Sequence, residues 1–144
     1  MIGDLTGMDV SNASVYDGAS AAAEGVAMCG EKKKNKALVS ATVLPWVLET
    51  VRTYCFGNGM ELEVIPEKDG TTDLEWLKDH LDQETACVLI QHPNYYGTLE
   101  PADAIGQAAH EAGAKFIMSV NPIALGILKT PGEYGADVAV GEGQ

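Results

Sequence analysis

The sequence has 144 residues, which is long enough for one domain with a buried core, and 46% of them are hydrophobic. Nine lysines and arginines stand against 21 aspartates and glutamates, giving a formal net charge of −12 at pH 7. Nucleic acids and anionic membranes bind to basic surfaces, so this charge argues against both as partners. No apolar run approaches membrane-spanning length and no signal segment opens the sequence, so we expect a cytoplasmic protein.

The cysteines and histidines indicate neither a metal site nor a disulfide framework. Cys29, Cys55 and Cys87 are odd in number and form no CxxC pair, and the histidines form no HExxH pattern. We therefore expect no bound metal and a reducing compartment, in which Cys87 acts as a small core residue.

The first segment, from Ile2 to Val10, has the pattern of a strand followed by a loop. Ser11, Asn12 and Ser14 then offer N-cap side chains for a helix of small residues, which Gly30 ends.

From Ala37 onwards, strand and helix patterns alternate. The helix from Pro45 to Phe56 has an apolar stripe at helical spacing, with Trp46 on the opposite side, facing solvent or a contact. Thr72 and Glu75 predict a capping box for the next helix. The expected strands are Ala37–Ser40, Leu62–Ile65, Ala86–Ile90, Phe116–Val120 and Asp137–Val140, and a last helix runs from Pro101 to Gly113.

This alternation predicts an α/β fold with a mostly parallel sheet and right-handed crossovers, arranged as a three-layer sandwich. The run Ala86–Ile90 carries no charge, which is typical of a strand buried on both faces. No linker or internal repeat interrupts the chain, so we expect residues 1–144 to form a single domain.

Polar residues follow the strands where a site would form. The loop His92–Tyr96 follows the central apolar run, Ser119–Asn121 ends the next strand, and Asn12–Tyr16 is expected at the same edge. Ligands of open α/β sheets lie beyond the carboxyl ends of the strands, and these side chains suit an anionic small molecule or a cofactor. They form no catalytic set, and ordinary connecting turns remain the alternative.

Four stretches are long and specific enough to indicate a family: Leu5–Val10 with Asn12–Gly18, His92–Gly97, Asn121–Gly126, and Gly135–Gln144. They resemble subunit 1 of glycine dehydrogenase (decarboxylating), the P-protein of the glycine cleavage system in its two-subunit bacterial form. The resemblance runs nearly end to end. It implies an internal piece of that subunit, because chains of the family extend beyond both ends of this one.

The resemblance implies part of the large domain of the aspartate-aminotransferase-like, pyridoxal-phosphate-dependent transferase fold, fold type I. The parent enzyme decarboxylates glycine and passes the aminomethyl group to the lipoyl arm of the H-protein. Its Schiff-base lysine belongs to subunit 2, which subunit 1 completes. The implied partners are therefore subunit 2 and the H-protein. The implied cofactor, pyridoxal phosphate, belongs to the parent complex rather than to this chain alone.

No catalytic residue is expected in this chain. Relatives with a working site place an aspartate for the ring nitrogen where this sequence reads Ser119-Val120-Asn121, and no lysine follows Gly141. Leu44 also stands before Pro45, where the family often has a histidine. The candidate cofactor-pocket or interface residues are Asn12, Ser14, Tyr16, His92, Asn94, Tyr95 and Asn121.

The resemblance also implies a topology, with the Ala86 strand between the Ala37 and Phe116 strands. The Asp137 strand would have one open edge that invites self-association, and Ile2–Val10 would lack its partner strand. One alternative is an independent doubly wound domain of receiver or flavodoxin type that binds a small ligand without catalysis. Another is a scaffold acting by protein contact alone. A receiver would need an aspartate after a central strand, and Ile90–His92 offers none.

Overall fold

A computed structural model describes residues 1–143, so Gln144, the last residue of the fourth family-like stretch, lies outside the described residues. The strands are β1 (Lys36–Ser40), β2 (Glu61–Ile65), β3 (Glu67–Lys68), β4 (Thr71–Thr72), β5 (Thr85–His92), β6 (Lys115–Val120) and β7 (Val138–Gly141). The helices are α1 (Ile2–Thr6), α2 (Gly18–Cys29), α3 (Pro45–Asn58), α4 (Leu74–His80) and α5 (Ala102–Glu111), with a 3-10 turn at Ala124–Gly126.

Five strands form one parallel sheet in the order β2-β1-β5-β6-β7. The strand from Thr85 to His92 lies in the middle, and its Leu89 pairs with Val39 on one side and Ile117 on the other. The prediction of its central position is confirmed. Within the described residues, β7 pairs with β6 alone, which leaves the open edge that we expected. The strands β3 and β4 form a separate antiparallel hairpin.

Alternate residues of the strands enter two apolar clusters, one on each face of the sheet. Leu89 and Ile117 pack with α2 and α3, whereas Val88 and Phe116 pack with α4 and α5. The expected three-layer α/β architecture is confirmed. Small residues let α2 approach closely, since a Cβ at Gly25 would lie 3.4 Å from a methyl group of Val138.

The amphipathic pattern of α3 is confirmed. Val47, Val51 and Cys55 are buried against the sheet, while Trp46 is 59% exposed on the opposite side. Pro45 occupies the first turn, where its missing N–H costs no hydrogen bond, and Gly59 ends the helix in the left-handed conformation.

The prediction of a strand in the first segment is wrong. Ile2–Thr6 is a short helix, which Gly7 ends in the left-handed conformation. Leu5 packs against the α4 and α5 cluster, and the carbonyl of Thr6 accepts a hydrogen bond from the amide of Gly132 at 2.9 Å. The segment is therefore held by the loop before β7 rather than by a strand.

Two predicted helix caps are also wrong. Asp17, and not Ser11, Asn12 or Ser14, caps α2 by accepting from the amide of Ser20 at 2.7 Å.

Asp73, and not a capping box of Thr72 and Glu75, caps α4 by accepting from the amide of Trp76 at 3.0 Å. Thr72 instead belongs to β4, and Glu75 pairs with Lys68. An aspartate nearer to the helix outcompetes the neutral hydroxyl, because its charge also interacts favourably with the helix dipole.

Among residues 1–143, no helix combines the length and the apolar character that crossing a membrane requires.

Candidate functional site: the carboxyl edge of the sheet

A cavity of about 430 Å³ opens at the carboxyl edge of the sheet, between the amino ends of α2 and α3 and the ends of β5, β6 and β7. We call it the edge pocket. Its lining includes Gly18, Trp46, Gln91, Ser119, Asn121 and Glu142. Its position is where open parallel sheets hold ligands.

The amino end of α2 forms one wall of the edge pocket, and the chain's own carboxylates occupy it. Oδ1 of Asp17 accepts from the amide of Ser20, and Oε1 of Glu142 accepts from the amide of Gly18 at 3.1 Å. The hydrogen bonds from the Ser20 backbone and side chain lower the pKa of Asp17 below its ordinary value. Both carboxylates interact favourably with the positive end of the helix dipole.

Two amide side chains of the pocket wall hold the loops around it. Oε1 of Gln91 accepts from the amide of Leu44 at 2.9 Å, and its Nε2 donates to the carbonyl of Pro93 at 3.2 Å. Oδ1 of Asn121 accepts from the amide of Ile123 at 3.0 Å and so closes a turn. The wall is therefore built by side-chain hydrogen bonds to loop backbone.

On the other side of the sheet edge lies a buried polar network centred on Glu100, which is 5% exposed. Its Oε1 accepts from Oγ1 of Thr42 at 2.6 Å and from Nδ2 of Asn94 at 2.9 Å. Its Oε2 accepts from the amide of Thr72 at 2.8 Å. Ser40 joins the hydroxyls of Thr42 and Thr72. This network ties the ends of β1 and β4 to the loop that follows β5.

His92 belongs to this buried network and not to the edge pocket. Its Nδ1 accepts from the amide of Glu100 at 3.2 Å, and its ring meets the Tyr134 ring edge-on at a centroid distance of 5.3 Å. Nε2 is buried and has no hydrogen-bond partner among the described residues. Burial lowers the pKa of His92, although the nearby Glu100 carboxylate acts in the opposite direction.

Asn94 shapes the loop after β5. Its Oδ1 accepts from the amides of Tyr96 and Thr98 at 3.0 and 3.1 Å, and its Nδ2 donates to the carbonyl of Gly70 as well as to Glu100. These contacts satisfy both ends of its amide group, so Asn94 fixes the loop backbone.

The remaining sequence candidates lie on the surface. Asn12, Ser14 and Tyr16 are exposed, Tyr16 to 95%. Tyr95 is half exposed, its amide donates to the carbonyl of Thr42 at 2.7 Å, and its ring meets that of Tyr96 edge-on. Of the seven sequence candidates, Asn121 is the one that lines the edge pocket in the described chain.

Sequence reasoning missed Gln91, which lines the edge pocket. The alternation of side chains along β5 could have identified Gln91, because it places Gln91 on the same face as Cys87 and Leu89, the face that meets α2 and α3. A polar residue at the end of that apolar row points into the edge pocket. Glu100 was missed because its neighbours come from distant segments.

The side chains of the edge pocket do not fit pyridoxal phosphate. That cofactor needs a lysine for its aldehyde and a partner for its ring nitrogen, and its phosphate needs free donors. Among the described residues, no lysine lines the edge pocket, and β6 runs into Asn121 rather than a carboxylate. Glu142 already accepts the Gly18 amide and would repel a phosphate.

Comparison with known proteins adds to this geometry. The family model for the glycine cleavage system P-protein matches residues 1–144. The chain is 49% identical to probable glycine dehydrogenase (decarboxylating) subunit 1 of Carboxydothermus hydrogenoformans, over 100% of this chain and 33% of that protein. It is 50% identical to the protein of the same name from Desulfitobacterium hafniense, over 100% of this chain and 32% of that one. The chain thus spans about a third of the length of the curated relatives it matches.

Solved structures of similar fold include a member of the same family. A crystal structure of glycine decarboxylase (P-protein) of the glycine cleavage system, in inhibitor-bound form, matches with a TM-score of 0.93 and 41% identity, covering 99% of this chain and 32% of that chain. Pyridoxamine-pyruvate aminotransferase from Mesorhizobium loti matches at 17% identity, with a TM-score of 0.69, over 96% of this chain and 36% of that chain, which shows the fold alone. The predicted fold class is confirmed.

Proposed function

Because the chain belongs to the glycine cleavage system P-protein family, we propose that it forms one α/β domain within a glycine dehydrogenase (decarboxylating) subunit 1. The parent enzyme releases the glycine carboxyl group as carbon dioxide and transfers the aminomethyl group to the lipoyl group of the H-protein. The observation that carries the proposal is the match along the whole chain, at 49% identity to a subunit 1 and a TM-score of 0.93 to a P-protein.

We propose that this chain is not catalytic by itself and that subunit 2 supplies the lysine that binds pyridoxal phosphate. The composition of the edge pocket supports this division of labour, since its described lining includes no lysine and its helix terminus carries a carboxylate. When bound in the assembly, the cofactor supplies the electron sink for decarboxylation. The role of this chain is to form the carboxyl edge of the sheet, next to which subunit 2 completes the active site.

The surface that we propose to face subunit 2 is the carboxyl edge of the sheet. Its loops and the first turn of α3 expose large apolar side chains, including Trp46 at 59%, Tyr96 at 59%, Ile123 at 81% and Ile127 at 91%. Aromatic and aliphatic side chains clustered on one edge are typical of an interface rather than of a free surface. The open edge of β7 is a second place where another strand, including one from a second copy, would pair.

A chimera tests the proposed function directly. Residues 1–144 replace the corresponding third of the Carboxydothermus subunit 1, and the chimera is combined with subunit 2, H-protein and pyridoxal phosphate. We expect exchange of the glycine carboxyl group with labelled bicarbonate, at a rate within about tenfold of the parent enzyme, because 49% identity preserves the fold. A chimera that folds and assembles but supports no more exchange than subunit 2 alone would contradict the proposal.

A second assay tests the division of labour. The isolated chain is mixed with pyridoxal phosphate, reduced with borohydride and mapped by mass spectrometry. We expect slight modification spread over exposed lysines such as Lys32 and Lys33, which react weakly with any aldehyde. One stoichiometric adduct at a single lysine would contradict the proposal that this chain does not bind the cofactor.

A further inference from the structure

We propose that Glu142 is the residue that determines the ligand specificity of the edge pocket, because its carboxylate occupies the amino end of α2 and excludes phosphate-bearing ligands. The inference goes beyond the proposed function. It concerns what this pocket rejects, and it holds whether or not the chain serves glycine decarboxylation.

The hydrogen-bond donors at the amino end of α2 are already occupied. The amino end of a helix as long as α2, at 12 residues, attracts anions through its free amides and its dipole. Here the Gly18 amide donates to Glu142 at 3.1 Å and the Ser20 amide donates to Asp17 at 2.7 Å. The donors that a phosphate would use are therefore taken by carboxylates of the same chain.

The Glu142 side chain also fills the space beside Gly18 that a phosphate would need. A Cβ built on Gly18 would lie 2.6 Å from Cγ of Glu142 and 3.1 Å from its Oε1. The Glu142 side chain therefore lies directly against the bare backbone of the first turn of α2. A phosphate could bind there only after this side chain had moved away.

Strand pairing positions the backbone that leads into Glu142. The preceding residue, Gly141, pairs with Val120 at the end of the sheet. A Cβ at Gly141 would lie 2.4 Å from the Val120 carbonyl oxygen, so the two strands meet closely at this point. The carboxylate is thus presented to α2 from the end of a paired strand.

The charge of the edge pocket also disfavours a phosphate. The described lining of the edge pocket contains neither lysine nor arginine, and the whole chain has a net charge of −12. A phosphate entering the pocket would meet the Glu142 carboxylate with no cation to offset the repulsion. The same positive helix end that would attract a phosphate instead stabilises Glu142.

Titration with inorganic phosphate, followed at the Gly18 and Ser20 amides by ¹H-¹⁵N NMR, tests the proposal. Wild type is compared with Glu142→Ala and Glu142→Gln. The matched control is Glu111→Ala, since Glu111 is an exposed glutamate on α5 whose partner is Gln107. The unbound spectra establish that each variant is folded.

We expect wild type and Glu111→Ala to show no saturable shift at these amides. Glu142→Ala should bind phosphate at least about tenfold more tightly than wild type, because the donor and its space become free. Glu142→Gln should bind between the two, since its amide oxygen can still accept from Gly18 but carries no charge.

Two results would overturn the proposal. One is saturable phosphate binding by wild type as tight as that of Glu142→Ala. The other is no gain in either variant, which would show that something other than Glu142 excludes phosphate. A failure of the chimera in glycine decarboxylation would leave this binding result unchanged, so the two proposals can fail separately.

Discussion

Two glutamates near the same edge of the sheet have opposite surroundings. Glu100 is 5% exposed and accepts from Thr42, Thr72 and Asn94, whereas Glu142 is exposed and, within residues 1–143, accepts from Gly18 alone. A buried carboxylate whose two oxygens both accept hydrogen bonds stabilises the fold, because its loss leaves several buried donors without an acceptor. An exposed carboxylate with one partner is free to act on whatever enters the pocket.

The residues around the two glutamates differ in the same way as the glutamates themselves. On the buried side, His92 and Asn94 satisfy backbone and side-chain groups of Gly70 and Glu100. On the open side, Asn121 closes a single turn, and Trp46 stands largely in solvent. A polar residue after a strand therefore indicates a site only when its hydrogen-bonding capacity is not already used by the fold.

The largest expected effect is at Glu100. Glu100→Ala should lower the free energy of unfolding by about 3–5 kcal/mol, because three buried donors lose their acceptor. Glu100→Gln, which keeps the shape but replaces one acceptor by a donor, should cost less, about 1–3 kcal/mol. Urea denaturation of both variants measures this order. A loss below about 1 kcal/mol for Glu100→Ala would show that the network is not structural.

The two asparagines provide a matched pair. Asn94→Ala should cost about 2–4 kcal/mol, because Asn94 is itself buried and makes four hydrogen bonds. Asn121→Ala should cost about 0.5 kcal/mol, since it removes one exposed turn contact. Equal losses in urea denaturation would remove the distinction between the buried network and the edge pocket.

The pH dependence of stability should come partly from His92. Burial lowers the pKa of folded His92, with Glu100 acting in the opposite direction, so the unfolded chain binds a proton at a higher pH than the folded chain does. The free energy of unfolding should therefore fall as pH decreases below about 6.5, the ordinary histidine pKa.

Urea denaturation at several pH values between about 7.5 and 5.5 measures the slope around that pKa. His92→Asn, whose amide oxygen can still accept from the Glu100 amide, should reduce the slope relative to wild type. An unchanged slope in this variant would place the titrating group elsewhere.

The smallest expected effect on stability is at Trp46. Trp46→Ala should change the free energy of unfolding by less than about 0.5 kcal/mol, because the side chain is 59% exposed. Trp76→Ala is the control and should cost about 2–3 kcal/mol, since Trp76 packs on the α4 and α5 cluster and stacks on His80.

Sedimentation of the same Trp46 variant completes the test. If Trp46 belongs to a contact, its loss weakens association while stability stays constant. A large stability loss for Trp46→Ala would contradict its placement as an exposed side chain of the edge pocket.

The sequence was sufficient for the sheet and its layers because uncharged runs such as Val88–Ile90 have a single physical interpretation, burial on both faces. It was insufficient for α1, whose five residues are too few to show a helical period. That helix is held by Gly132, more than a hundred residues away along the chain. The predicted cap of α4 was wrong by one residue, because Thr72 and Asp73 both carry a side-chain acceptor. Thr72 is the last residue of β4, so Asp73 is the residue that caps the helix.

The candidate site was less predictable for a related reason. His92 and Asn94 stood out as polar residues after a strand, but both are hydrogen-bonded to Glu100, which also accepts from Thr42 in a separate segment. Asn121 was recognised at the edge pocket because it ends a strand of the same sheet. Side-chain type and position within an element are readable from one sequence, whereas the satisfaction of hydrogen bonds depends on which distant segments meet.

Native-state amide hydrogen exchange tests the central contrast most directly, because it reports both regions in one sample. We expect the Thr72 and Tyr95 amides, which are hydrogen-bonded next to the buried network, to exchange as slowly as those of the central strand at Val88 and Leu89. The Gly18 and Ile123 amides, bonded to exposed side chains of the edge pocket, should exchange orders of magnitude faster. Equal protection in the two regions, or faster exchange at Thr72 than at Gly18, would contradict it.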